Sequence, residues 1–216
     1  MIRVVIADDH TIVREGLKQL LLADADFAVV GEARDGQEAL QRVRELDFDV
    51  LLLDMSMPKK NGIDLIKQIK NEKPKLRVLV LSMHEEQQYA IRAIKAGASG
   101  YLTKESASAQ LISAIRKVAS GGAFISSAVA EQLALGAMPQ TDGLPHTTLS
   151  DREYQVFQSL VAGKSVTDIA EQLNLSVKTV STHKARLLEK MRMNSPTELV
   201  RYAIAHRLVD DPDAAD

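Results

Sequence analysis

The sequence predicts an α/β doubly wound five-stranded parallel sheet followed by a small all-α domain. Up to residue 120, short β-branched runs alternate with amphipathic stretches. Near-continuous apolar strands separated by helices imply a parallel sheet covered on both faces. After Gly121-Gly122 the strand pattern stops, and from Leu149 onward each apolar-periodic stretch is helical and opens on a capping residue. Between the two rhythms, GAMPQTDGLPHTT holds two prolines and two glycines with no periodicity, the composition of a linker.

The strands are expected at 3–7, 28–31, 50–53, 78–81 and 100–102. The helices are expected near 12–23, 36–46, 62–72, 86–97 and 107–120, with right-handed crossovers. Residues 121–148 then form a linker with one further helix at 126–135. A helical domain follows at 149–209, and 210–216 is an acidic tail. Within 149–209 the start signals are Ser150 with Glu153, Ser165 with Asp168, Ser176 alone, and Ser195 with Pro196 and Glu198. The last helix is expected over 197–208, burying Leu199, Val200, Ala203 and Ile204 and leaving Tyr202 and His206 for a partner.

Composition narrows the function classes. The 216 residues are 45% hydrophobic and 26% charged, close to the average soluble globular chain. The longest apolar runs (VVIA, VLLL, VLVL) fall far short of the ~20 residues that cross a bilayer. The start Met1-Ile2-Arg3 runs straight into a strand, leaving no room for a signal peptide, and a cytoplasmic protein is expected. With no cysteine, disulfides, thiolate metal sites and cysteine nucleophiles are excluded.

The net charge of −2 hides an asymmetry. Residues 1–135 carry 18 basic and 18 acidic side chains, whereas 149–209 carry 9 basic and 6 acidic. Five of those cations, Lys178, Lys184, Arg186, Lys190 and Arg192, crowd into 178–192 with the single acid Glu189. Such a stretch is a footprint for a polyanion or a solvated helix face.

In an open α/β sheet, ligands bind outside the carboxyl ends of the strands. Asp8-Asp9, Asp54, Ser82 and Lys104 all fall at those ends. Any one of them alone reads as a cap or turn residue, but parallel order brings all four ends to one edge. Three carboxylates there need a cation, and oxygen ligands without His or Cys favour Mg²⁺. A carboxylate beside Mg²⁺ can attack a phosphoryl group, with a hydroxyl and an ammonium donating to the new oxygens. No zinc spacing, Gly-rich phosphate loop or Ser-His-Asp order competes with this phosphoryl-acceptor site.

The segments VVIADDH, LLLDMSMPKKNG, VLVLSMH and AGASGYLTK resemble, in order and spacing, the receiver domain of bacterial two-component response regulators across 1–120. The resemblance implies a flavodoxin-like strand order 2-1-3-4-5. It implies Asp54 as phospho-acceptor, Asp9 as a direct Mg²⁺ ligand, Asp8 as one through water, and the Ser56 carbonyl as a third. Ser82 and Tyr101 are then the switch pair, with Tyr101 rotating inward on phosphorylation, and Lys104 holds the phosphoryl group. The switch hydroxyl is often Thr in this family, and many members carry Pro where Glu105 stands. A Mg²⁺-dependent phosphatase is the enzymatic alternative, but such enzymes usually carry an acid two positions after the nucleophile, where Ser56 stands.

Downstream, 164–175 and 176–191 read as helix, turn, helix, with Asn174-Leu175 at the bend. On a helical wheel Val180, Leu187 and Met191 share one side with His183 nearby, and Lys178, Ser181, Thr182 and Ala185 lie opposite. That small, polar outward face suits a major groove ~12 Å wide, with Lys184 and Arg186 flanking it to reach phosphates. LSDREYQVFQSLVAGKSVTDIAEQLNLSVKTVSTHKARLLEKM resembles the LuxR/NarL-type helix-turn-helix output domain. That resemblance implies promoter DNA contacts from Lys178, Thr179, Ser181, Thr182, His183, Lys184 and Arg186. It also implies a homodimer when phosphorylated or DNA-bound, a sensor histidine kinase as phosphoryl donor, and no catalytic residue beyond slow self-dephosphorylation.

Overall fold

The computed structural model describes every residue except 58–61, 83–86, 136–143, 174, 207 and 209–216. The middle of the expected linker, Asn174 at the expected bend and the acidic tail therefore lie outside the described residues. Two compact units divide the chain, Met1–Met138 and Pro139–Asp216.

In the first unit five strands, β1 (Ile2–Ala7), β2 (Phe27–Ala33), β3 (Val50–Asp54), β4 (Arg77–Ser82) and β5 (Gly100–Thr103), form one sheet in the order β2-β1-β3-β4-β5. Every pairing is parallel. The helices are α1 (Thr11–Leu22), α2 (Gly36–Glu45), α3 (Gly62–Glu72), α4 (Gln87–Lys95) and α5 (Lys104–Ala119). Successive strand residues point to opposite faces. Val5, Leu51, Leu53, Val78 and Val80 join a core with residues of α2, α3 and α4. Val4, Ile6, Leu52, Leu79 and Leu81 join a second one with Leu17 and Leu21 of α1 and Leu111 and Ile115 of α5.

Asp54 and Ser82 do not follow their strands but end them, paired with Leu81 and Thr103. Helix α5 begins at Lys104, three residues before the apolar pattern places it, because the Thr103 hydroxyl accepts the Ser106 N–H at 3.2 Å and caps the helix. The junction from β5 to α5 thus has no loop, and Lys104 is held at the sheet's edge.

The first unit also runs past residue 120, where the sequence pattern places its end. Phe124 lies beside β5, its N–H donating to Ser99 O at 3.1 Å and its carbonyl accepting from Tyr101 N at 2.8 Å. Gly100 permits this approach, since a Cβ there would meet the Phe124 carbonyl oxygen at 2.9 Å. Helix α6 (Ser127–Leu135) then packs on α4 and places Val129 in the same core as Tyr101. An isolated strand pairing of this kind leaves no periodic signal.

The second unit opens with a 3-10 turn (Pro145–Thr148), followed by α7 (Asp151–Val161), α8 (Val166–Leu173), α9 (Val177–Met191) and α10 (Pro196–Ala205). Its core contains Leu149, Tyr154, Phe157, Leu160, Ile169, Val180, Leu187, Met191, Leu199 and Ala203, all buried. Ser150 and Glu153 form a reciprocal capping box, and Ser165 and Asp168 exchange the same pair of bonds. Ser176 and Ser195 accept the N–H of Thr179 and Glu198.

Two expectations for α10 fail. Ile204 is 49% exposed, because the buried line runs through Leu199 and Ala203 and Ile204 lies ~100° beyond it. Tyr202 turns inward, its hydroxyl 2.7 Å from Nδ1 of buried His146, whereas His206 is exposed.

Candidate functional site

The C-terminal edge of the first sheet gathers the predicted acids and the lysine. Asp8 and Asp54 are each 1% exposed, and the Asp9 side chain is 30% exposed. Lys104 Nζ lies 2.7 Å from Asp8 Oδ2 and 2.9 Å from Asp54 Oδ2. Asp54 Oδ1 accepts the Ser56 N–H at 3.0 Å, so both oxygens of this carboxylate are engaged. Burial raises the Asp54 pKa despite Lys104 and the Ser56 N–H. Burial also works against the Lys104 charge, yet its two carboxylate partners hold its pKa above the ordinary lysine value.

Ser82 is buried at the end of β4, one strand from Asp54. Tyr101 is already inside at 8% exposure, within the core that holds Val80 and Val129. The expected inward rotation therefore has no outward starting point here. Ser56 itself is exposed.

Two residues of this edge carried no expectation. His10, the N-cap of α1, makes no side-chain cap bond, and its ring turns to the acids, with Nδ1 2.9 Å from Asp9 Oδ1 and 3.3 Å from Asp8 Oδ1. One atom each from Asp8, Asp9, His10 and Asp54 lies within 4.8 Å of the others. Arg14 is 5% exposed and donates to the Asp8 carbonyl at 2.8 Å, bracing the turn that carries both acids. Its signal was present: Arg14, Leu17 and Leu21 recur at helical spacing on the buried face of α1. His10 had a weaker one, its adjacency to the acid pair.

The residues suit a divalent cation. Three carboxylates against one ammonium leave two negative charges, and the one close contact of Asp9 Oδ1 among the described residues is the exposed His10 ring at 2.9 Å. A surplus of carboxylate charge in one cleft is what a bound cation resolves.

In the second unit, α9 separates its residues as the wheel predicts. Val180 and Leu187 are fully buried, whereas Lys178, Ser181, Thr182, Ala185 and Arg186 are exposed. Thr179, His183 and Lys184 are half-buried. The Thr179 hydroxyl lies 2.7 Å from Ser176 Oγ in the cap, and that of Thr182 donates to the Lys178 carbonyl. His183 Nδ1 is buried with no hydrogen bond among the described residues. Lys190 instead pairs with Glu153 of α7 at 2.7 Å.

Comparison with known proteins separates the same two units. The response regulator receiver domain family matches residues 4–116, and the luxR family of bacterial regulatory proteins matches 147–203. Response regulator GacA of Pseudomonas viridiflava is 40% identical over 212 residues, 97% of this chain and 99% of the relative. Response regulator UvrY of Escherichia coli (strain K12) is 38% identical over 209 residues, 96% of each chain. Among solved structures, RcsB from Salmonella enterica serovar Typhimurium, bound to promoter rprA in the presence of the phosphomimetic BeF3-, has a TM-score of 0.69 at 30% identity, covering 95% of this chain and 100% of that one.

Proposed function

The chain belongs to the response regulators that join a receiver domain to a LuxR-type DNA-binding domain, and we propose that Asp54 accepts a phosphoryl group that controls how the second unit engages promoter DNA. The observation that carries this reading is the Asp54 carboxylate at the end of β3, beside Asp8 and paired to Lys104.

A carboxylate oxygen of Asp54 attacks phosphorus, and the bond to the nitrogen of a sensor kinase phosphohistidine breaks, leaving an aspartyl phosphate and a free imidazole. Asp8, Asp9, Asp54 and the Ser56 carbonyl would hold Mg²⁺, which on binding neutralises charge on the transferring phosphoryl oxygens. Lys104 releases Asp54 and donates to a phosphoryl oxygen, while Ser82 supplies a hydroxyl to another. The new charge and the repositioned Lys104 and Ser82 bias the β4–β5 edge, where Tyr101 sits.

Lys178, Thr179, Ser181, Thr182, His183, Lys184 and Arg186 of α9 form the DNA face, and a homodimer places two such helices on paired half-sites. RcsB bound to promoter rprA, and a second structure of two RcsB dimers bound to two parallel DNAs, support this reading. Apart from slow self-dephosphorylation the chain turns over no substrate. No described helix is long and apolar enough to cross a membrane, and the protein works in the cytoplasm, where its DNA is.

Intact mass after incubation with acetyl phosphate and Mg²⁺ tests the acceptor. One phosphoryl group adds to the native chain and none to Asp54→Asn. Uptake by Asp54→Asn at the native rate overturns the assignment.

A further inference from the structure

Strand β5 is held from three sides. At its end Thr103 runs without a loop into Lys104, whose Nζ bridges Asp8 and Asp54 at 2.7 and 2.9 Å. One flank pairs with β4 from Leu79 to Ser82. Along the other lies Phe124, which donates to Ser99 O at 3.1 Å and accepts from Tyr101 N at 2.8 Å. Phe124 leads straight into α6, which opens with the Val129 N–H donating to Ser126 Oγ at 3.3 Å. The lysine that meets Asp54 and the strand that seats α6 are therefore one continuous segment.

That seat is slight. Phe124 makes a single isolated bridge to the sheet. Among the described residues of α6 only Val129 is buried, with Leu133 and the preceding Ile125 partly buried against the same core. On the opposite face of the sheet α5 buries Leu111, Ala114, Ile115 and Val118. A helix of nine residues does not hold its shape alone in water. So α6 depends on its few contacts, and such an element opens at a small cost in free energy.

We infer that α6 is a strap that phosphorylation of Asp54 releases, lengthening the tether to the second unit. The inference rests on Asp54 as the phospho-acceptor and names the element that the modification moves. Once one Asp54 oxygen is bonded to phosphorus, the negative charge lies on the phosphoryl oxygens, and Lys104 follows it out of its place between Asp8 and Asp54. Strand β5 is drawn with it, because no loop takes up the movement. The isolated bridge at Phe124 is the weakest hold on β5 and gives way first, and α6 melts without its seat. Residues 123–135 then join the tether, and the second units of two chains reach paired half-sites over a wider span.

The test uses the full chain with BeF3- and Mg²⁺, binding being read from the ¹⁹F resonance signal and opening from amide hydrogen exchange. Exchange over 123–135 and at the Tyr101 amide accelerates at least about fivefold when BeF3- is bound. Linkage is reciprocal, so a variant that loosens the strap favours the bound state. Val129→Ala should bind BeF3- about threefold more tightly than the native chain, whereas Ile115→Val, a loss in the opposite layer, leaves the affinity at its native value. A residue that served stability alone would not tighten binding at a distant site. Exchange over 123–135 that is unchanged or slower with BeF3- bound overturns the inference and leaves the acceptor standing, and so does unchanged or weaker binding by Val129→Ala. A native chain with no bound ¹⁹F signal, or an Asp54→Asn chain that has one, overturns the acceptor and the strap together.

Discussion

Asp54 and Glu153 are both buried, 1% and 4% exposed, and each meets a lysine, Lys104 at 2.9 Å and Lys190 at 2.7 Å. Their carboxyl groups nevertheless shift in opposite directions. Burial raises Asp54, because Lys104 is shared with Asp8 and the like charge of Asp8 adds to the cost. Burial also opposes the Glu153 charge, but Lys190 and the Ser150 cap together bring that pKa below the ordinary value. Glu153 stands in the output unit for the fold, closing a capping box and tying α7 to α9. Under the proposed function Asp54 serves chemistry in the receiver, where one lysine is shared between two carboxylates. A buried acid–lysine pair therefore carries no single meaning; what else the carboxylate is bonded to decides it.

The largest expected effect breaks the structural member. Glu153→Ala removes the reciprocal half of the capping box, the bond from the Ser150 N–H, and leaves Lys190 without its partner, costing about 2 kcal/mol. Calorimetry of the full chain should show the output-unit transition falling by ~10 °C, since 1 kcal/mol moves the Tm of so small a unit by ~4–8 °C. The receiver transition stays in place. A fall in both transitions, or in neither, defeats the assignment of Glu153 to the output fold.

Neutralising an acid in the receiver should do the reverse. Asp9→Asn relieves repulsion among three carboxylates and leaves Lys104 to pair with the other two, stabilising the metal-free receiver by about 1 kcal/mol. The same change removes the rise in transition temperature that Mg²⁺ produces in the native chain. A lower metal-free transition in Asp9→Asn would make Asp9 structural and erase the contrast with Glu153.

The edge that carries Asp9 was legible because parallel strands must bring Asp8, Asp9, Asp54, Ser82 and Lys104 to one side, whatever the side chains then do. The alternation of strands with helices and the helix caps at Ser150, Ser165, Ser176 and Ser195 were legible for related reasons, being periodic or local signals, whereas the strand order came only with the resemblance to receiver domains. What escaped depends on a single contact between distant residues. Phe124 beside β5, Tyr202 on His146 and Lys190 on Glu153 each join positions that no spacing relates. His10 escaped differently: the sequence places it at the edge, but only its rotamer turns an exposed cap position toward the acids.

A third test uses pH. The folded pKa of Glu153 is depressed, so its contribution is fully present above the ordinary carboxylate value near 4.5 and is lost as pH falls through the lower folded value. The stability difference between native and Glu153→Gln should hold steady above pH ~5 and shrink progressively below it. A difference that grows on acidification contradicts the depressed pKa and the role of Lys190.

The smallest effect separates fold from function within one helix. Lys184 and Lys190 both belong to the basic stretch of α9, but Lys190 is committed to Glu153, whereas Lys184 flanks the exposed face of Ser181, Thr182 and Ala185. Each phosphate contact contributes ~0.9 to the slope of log K against log salt on duplex DNA. Lys184→Ala should therefore lower that slope by about one and leave the output-unit transition unmoved. Lys190→Ala should lower the transition by a few degrees and leave the slope nearly intact. Swapped outcomes would mean that Lys190 leaves Glu153 for the backbone of the DNA. The capping box would then have to hold α7 without a cation, and the division between an acid kept for the fold and one kept for chemistry would no longer follow from which lysine each one meets.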